Sequence, residues 1–205
     1  MFSLLVRLFR LMCLKNSWRK GNSHNKTTIG RVCNLDVLTV GSESYGVLNV
    51  YTWGAPNEGL VIGCYVSIAS DVKFILGGNH FTEGYTTFPI KSKVRYLSPE
   101  IDATSKGEIY IDDDVWIGIG AIILSGVKIG RSSIIAAGSV VTRSFPPYSI
   151  IGGNPARLLK TRLTDEERDF AECIDFNKIN LSSLSDDEIE AFYNRDKIVL
   201  SKFLS

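Results

Sequence analysis

The sequence predicts a mainly β protein: a parallel β-helix of hexapeptide repeats, interrupted by one long loop excursion and followed by C-terminal α-helices. Three observations predict it. Ile111, Ile117, Ile123, Ile129, Ile135 and Val141 are each six residues apart, a period that neither an α-helix nor a plain strand explains. A repeating unit of one short strand and one tight turn does explain it. The residues that follow these aliphatics (Asp112, Gly118, Leu124, Gly130, Ala136, Thr142) are mostly small or turn-forming, as the corners of such a unit require. Eighteen glycines in 205 residues suit a turn-rich β architecture.

Each hexad makes one side of a three-sided prism, so three hexads close a coil. The next coil then stacks Ile129 on Ile111, Ile135 on Ile117 and Val141 on Ile123, with backbone hydrogen bonds running between coils. The handedness does not follow from the pattern. Towards the N-terminus the phase wanders, from Ile29 and Leu35 through breaks at Gly41 and Gly46. It returns at Ile62, Ile68 and Phe74. One further hexad would place His80 inside the prism, but the chain breaks at Gly77-Gly78, and residues 77–106 carry no hexads. A loop this long within a compact domain is usually functional or disordered, and this one must overhang a neighbouring surface.

The organisation expected is a segment 1–27, a β-helix domain 28–160 and a helical extension 161–205. Residues 1–20 are apolar with interspersed cations, and Arg7 and Arg10 break the run too soon for a bilayer span. Two readings stand for this stretch: a cap on the open end of the prism, or a peripheral contact with an anionic membrane surface. Residues 21–27, with His24, read as a polar linker. After Lys160, Thr164 with Glu167 forms a capping-box pattern that opens one helix, and Ser185 or Asp186 opens a second.

A net charge of +1 gives no electrostatic case for nucleic acid. Cys13, Cys33, Cys64 and Cys173 have no CxxC spacing and read as isolated buried thiols in a reducing compartment. Two histidines, His24 and His80, are too few for a three-histidine zinc site between subunits, so no metal is expected.

The run DVWIG…GVKIG…IIAAGSVVT…PPYSIIGGNPAR resembles the hexapeptide-repeat acyltransferases, and within them the xenobiotic group of type B chloramphenicol, streptogramin and polysaccharide O-acetyltransferases. The resemblance implies a left-handed coil and acetyl-CoA as cosubstrate. It also implies a homotrimer with its active sites between subunits, and a cytoplasmic protein working on a small molecule or saccharide. His80 sits in a Gly-x-Asn-His motif with Phe88-Pro89 after it, which implies a general base. Trp116 would wall the thiol end of a groove made by Gly118, Ile119, Ala136 and Ala137. Thr142, Arg143, Asn154, Pro155, Arg157 and Lys160 match the positions that hold the nucleotide end, where cations suit phosphate. Tyr45, Asn79, Phe81 and Glu83 are the candidate acceptor contacts. The activity implied is transfer of acetyl to a sugar hydroxyl, as in surface-polysaccharide synthesis; the alternative acceptor is an antibiotic, and a non-catalytic scaffold is a third reading.

Overall fold

The six-residue rhythm becomes a stack of three-sided coils in the computed structural model, which describes residues 2–95 and 102–205. Residues 96–101, part of the excursion expected over 77–106, and Met1 lie outside the described residues. The first coils are β1 (Lys26–Ile29), β2 (Leu38–Val40), β3 (Tyr45–Tyr51), β4 (Leu60–Ile62), β5 (Ser67–Ile68) and β6 (Lys73–Ile75). After the excursion come β7 (Ile109–Ile111), β8 (Trp116–Ile117), β9 (Ile122–Leu124), β10 (Lys128–Ile129), β11 (Ile134–Ile135) and β12 (Val140–Val141).

One face stacks β2, β4, β7 and β10; a second stacks β5, β8 and β11; a third stacks β6, β9 and β12. β3 bends across two faces, pairing Tyr45 with Ser67 and Asn49–Tyr51 with Lys73–Ile75. The pairs Ile111–Ile129, Ile117–Ile135 and Ile123–Val141 form parallel ladders in the register the hexads imply. Across the excursion the partners are Ile62–Ile111, Ile68–Ile117 and Phe74–Ile123, so the coil resumes in phase after the long detour. All of these inward residues are at most 4% exposed. Each contributes about 1.5–3 kcal/mol of burial.

The turns differ from expectation in one respect. Positive φ recurs every six residues at Asp114 (56°), Gly120 (69°), Gly126 (78°), Ser132 (54°) and Gly138 (68°), three positions after the aliphatic rather than one. The N–H of each of these residues reaches the coil below, as in Gly138 to the Ile119 carbonyl at 2.8 Å and Ser132 to that of Asp113 at 2.8 Å. The position directly after the aliphatic is small for a steric reason instead. A Cβ on Gly118 would stand 2.6 Å from the Ala137 nitrogen, and one on Gly130 would stand 2.4 Å from that of Pro147.

Residues 21–27 are not a linker. Asn25 and Thr27 are buried, and they lock the end of α1 (Phe2–Gly21) onto the first coil. The Trp18 indole donates to the Thr27 hydroxyl at 3.0 Å, that hydroxyl donates to Asn25 Oδ1 at 2.7 Å, and Arg19 donates to the carbonyls of Asn25 and Thr27 at 2.8 and 3.2 Å. His24 is exposed, yet its Nε2 lies 2.8 Å from the Val40 carbonyl. Only the last turns of α1 join the core: Trp18 is buried and Leu11 packs against it, while Leu4, Leu5, Val6, Leu8, Phe9 and Met12 are exposed.

At the other end the last coil is short: Ile134 and Ile135 pair with Ile150 and Ile151, sixteen residues on. β13 (Ser149–Gly153) then passes through a two-residue Asn154–Pro155 turn with a cis peptide into β14 (Ala156–Thr161), its neighbour at the sheet edge. The stretch 156–161 is therefore an edge strand and not a further coil.

The chain divides into two compact units, Met1–Lys160 and Thr161–Ser205. The second opens with α3 (Asp165–Glu172), whose capping box joins Thr164 and Glu167 as expected. The second expected helix is capped by Ser185 with Glu188, but Arg195 (φ 58°) breaks it into α4 (Asp186–Asn194) and α5 (Lys197–Leu200). Ile179, Ala191, Leu200 and Phe203 are its buried hydrophobic residues, with Phe192 and Phe203 5.6 Å apart between ring centroids. The cysteines correct a further expectation: Cys13 and Cys173 are exposed, and Cys33 and Cys64 are half-buried. Among the described residues no helix is long and apolar enough to cross a membrane.

Candidate active site

The site residues gather in three places. The first is the root of the excursion. Asn79 and Thr104 form an antiparallel bridge, Asn79 N–H to the Thr104 carbonyl at 3.0 Å and Thr104 N–H to the Asn79 carbonyl at 2.8 Å, which closes the loop at its base. The Asn79 amide also donates to Ser125 Oγ at 3.2 Å, so this side chain, expected against the acceptor, is engaged in tying the loop to the prism. Below it, Gly78 (φ 78°) lies against the Trp53 ring, where an added Cβ would come within 2.6 Å. Trp53 is stacked on Tyr51, with centroids 6.5 Å apart, and Tyr51 carries the Arg31 guanidinium 3.6 Å above its ring. The Glu58 carboxylate accepts from the N–H groups of Trp53 and Gly54 at 2.8–3.0 Å and fills the space beside Gly77.

This braced root presents His80 to solvent. Its Nδ1 lies 2.8 Å from the Thr87 carbonyl oxygen. A carbonyl can only accept, so Nδ1 carries the proton and the Nε2 lone pair is free. Phe81 and Glu83 follow, both exposed. The short helix α2 (Ile90–Val94) is tied back by Asp102, which accepts from the Ser92 N–H at 2.7 Å. That bond is the chief reason the Asp102 carboxyl sits below its ordinary range; the Ser92 hydroxyl and the charge of Lys91 act in the same direction.

The second place is the face carrying Trp116. Tyr45, Ser67, Trp116 and Ile134 are successive partners in one ladder, so Tyr45 and Trp116 share an outer face two strands apart. Trp116 and Ile119 are each 54% exposed. Gly118 and Ala136 donate to the carbonyls of Ile135 and Ile151, each at 2.8 Å, and Ala137 is exposed above Gly118. The small residues thus leave a shallow corner beside an exposed indole.

The third place holds the cations. Thr142 and Arg143 follow β12 and are exposed, with the Arg143 guanidinium 5.2 Å from the Phe145 ring centroid. Asn154 and Pro155 make the β13–β14 turn; Arg157 and Lys160 are exposed on β14. Sequence reasoning missed Thr87, Asp102, Trp53 and Glu58. The bridge from Asn79 to Thr104 spans the excursion and leaves no periodic mark in the sequence. Among the described residues no group of three or more His, Cys, Asp or Glu is placed to hold a metal ion.

The fold is a stack of six-residue repeats with a loop rooted between coils. Residues 108–143 match the bacterial transferase hexapeptide (six repeats) family. The chain is 44% identical over 116 residues to a probable macrolide acetyltransferase of Lysinibacillus sphaericus, covering 54% of this chain and 64% of that one. It is 42% identical over 113 residues to a chloramphenicol acetyltransferase of Klebsiella aerogenes, covering 53% of this chain and 54% of the relative. The chain thus spans about half to two-thirds of the length of these curated relatives. A hexapeptide-repeat-containing acetyltransferase of Vibrio cholerae O1 biovar eltor, complexed with acetyl coenzyme A, superposes with a TM-score of 0.55 at 26% identity, covering 77% of this chain and 84% of that one.

Proposed function

We propose that the protein is an acetyl-CoA-dependent O-acetyltransferase with His80 as general base. The observation that carries this is the Nδ1 bond to the Thr87 carbonyl, which leaves Nε2 as an acceptor on an exposed loop. An alcohol is a poor nucleophile at neutral pH. As its oxygen bonds to the thioester carbon, its proton passes to Nε2; the C–S bond then breaks, and the thiolate of CoA takes up the proton. A backbone N–H is suited to the transient oxyanion. Pantetheine would lie in the corner of Gly118, Ile119, Ala136 and Ala137 beside Trp116. Arg143, Arg157 and Lys160 would meet the phosphates, and Pro155 the adenine. Tyr45, Phe81 and Glu83 would face the acceptor.

In this reading the coil is left-handed and the molecule a cytoplasmic homotrimer, with His80 of one protomer set over the Trp116 corner of the next. The solved relative with acetyl coenzyme A supports the cosubstrate. The acceptor proposed is a sugar hydroxyl, which suits an exposed site with polar and aromatic contacts. A second reading, an antibiotic hydroxyl, is favoured by the names of the relatives sharing more than 40% identity. Release of CoA thiol by the purified protein, measured with saccharide acceptors, chloramphenicol and a macrolide in parallel, tests both. Turnover with none of them, together with no acetyl-CoA binding by calorimetry, would leave the scaffold reading.

A further inference from the structure

The first half of α1 exposes a row of apolar side chains that no described residue of the chain buries. Leu4, Leu5, Val6, Leu8, Phe9 and Met12 are 44–62% exposed, whereas the second half of the helix is docked through Leu11, Trp18 and Arg19. Leu5, Phe9 and Met12 stand at i, i+4 and i+7, and Leu4 and Leu8 stand beside them, so they form one arc of the helix surface. Arg7 and Arg10 fall on the other side, whereas Lys15 and Lys20, in the later turns, come back to the side of the arc; all four are exposed. Residues 1–20 contain no Asp or Glu and five cations, Arg7, Arg10, Lys15, Arg19 and Lys20. That leaves 18 basic against 22 acidic residues in the remainder, a net charge of −4. The helix is therefore a net +5 segment on a chain whose remainder is net negative.

We propose that α1 is a membrane-surface anchor that lays the Leu5–Phe9–Met12 arc into the interface of an anionic phospholipid bilayer. The chemistry of the arm selects this occupant. The first three turns carry Leu and Phe on one arc and Arg on the other, and such a segment lies in the plane of the headgroups, its apolar side in the acyl boundary, with Lys15 and Lys20 in the following turns reaching the phosphates at its end. The helix is not long and apolar enough to span, so it lies on the bilayer. Its base is rigid: Trp18 is bonded to Thr27, and the Arg19 guanidinium is held by the carbonyls of Asn22, Asn25 and Thr27. The arm therefore holds the first coil at a set angle to the surface. A second copy of α1 is the poorer occupant, because it would bring further cations against these cations with no acid to meet them.

The test is co-sedimentation of the full chain with vesicles of phosphatidylglycerol and phosphatidylcholine, against vesicles of phosphatidylcholine alone, at low and high salt. The protein should pellet with the anionic vesicles and be released by high salt. The triple variant L5E/F9E/M12E should stay in the supernatant, and R7Q/R10Q should bind with the partition coefficient reduced by about fivefold per cation removed. All substituted residues are exposed, so far-UV circular dichroism and the melting midpoint should be unchanged in R7Q/R10Q, and that variant alone suffices if the triple one misfolds. No pelleting with anionic vesicles would overturn the proposal, and so would equal pelleting by either variant or equal binding to the zwitterionic vesicles. An oligomer in sedimentation velocity that the triple variant loses, without vesicle binding, would overturn it in favour of a second copy.

Discussion

The imidazole of His80 and the carbonyl of Thr87 are 2.8 Å apart across a seven-residue bend of the excursion. The bond sets both the tautomer and the ring plane, so the free Nε2 has one direction in which to accept a proton. His80→Ala removes that acceptor and nothing of the stacked core. Turnover should fall by about 10²–10⁴-fold, the range for loss of a general base. The affinity for acetyl-CoA, by calorimetry, should hold within error. Turnover close to wild type would take His80 out of the reaction.

The corner glycines make a paired prediction on stability. A Cβ on Gly120 meets nothing within 4 Å, so Gly120→Ala bears only the strain of φ 69°. That is about 1–2 kcal/mol for an L-residue in left-handed backbone. Gly118→Ala has no such φ but drives its methyl to 2.6 Å from the Ala137 nitrogen, against backbone that holds the next coil. It should destabilise by more than Gly120→Ala, and it should also weaken acetyl-CoA binding, since the displaced strand lines the proposed groove. Urea melts of the two variants rank the first effect and calorimetry reads the second.

These glycines also show how far the sequence could be read. The hexads specified the coil because one aliphatic side chain per side must point inward, and that constraint leaves a period. The strained turn three residues later escaped notice because Asp114 and Ser132 share it with glycines, so residue type does not mark it. The polar run 21–27 looked like a linker because its burial is hydrogen-bonded: Asn25 and Thr27 are buried through Trp18 and Arg19, and no apolar pattern accompanies that. His80 was legible from its neighbours. Its orienting partner Thr87 was not, because it acts through a backbone carbonyl that every residue possesses.

Acid should loosen the excursion before it unfolds the prism. Asp102 is held below the usual carboxylate range, chiefly by the Ser92 N–H. A depressed folded value means that its contribution is fully present above the ordinary carboxylate pKa and is lost as pH falls through the lower, folded one. The Ser92 amide should thus be protected at neutral pH, and its protection factor, taken against the intrinsic exchange rate at each pH, should fall below about pH 4. Asp102→Asn should show the faster exchange already at neutral pH, with the melting midpoint nearly unchanged. Protection of Ser92 that is indifferent to both changes would show that the bond does not hold α2.

The brace under His80 gives the sharpest separation of positioning from binding. Gly78 has φ 78° and lies so close to the Trp53 indole that a methyl would stand 2.6 Å from the ring. The ring itself has little room to retreat, since Tyr51 is stacked on it and the Trp53 and Gly54 amides are fastened to the Glu58 carboxylate. Gly78→Ala must therefore move the loop rather than the indole, and His80 is two residues further along. Turnover should drop by at least an order of magnitude, while acetyl-CoA, proposed to bind at the Trp116 corner, keeps its affinity. Trp53→Leu in the same background opens space for the methyl and should restore part of the lost turnover, an outcome that general destabilisation would not produce, because Trp53→Leu alone weakens the brace. If the double variant is no faster than Gly78→Ala, the contact between Gly78 and the indole is not what places the imidazole.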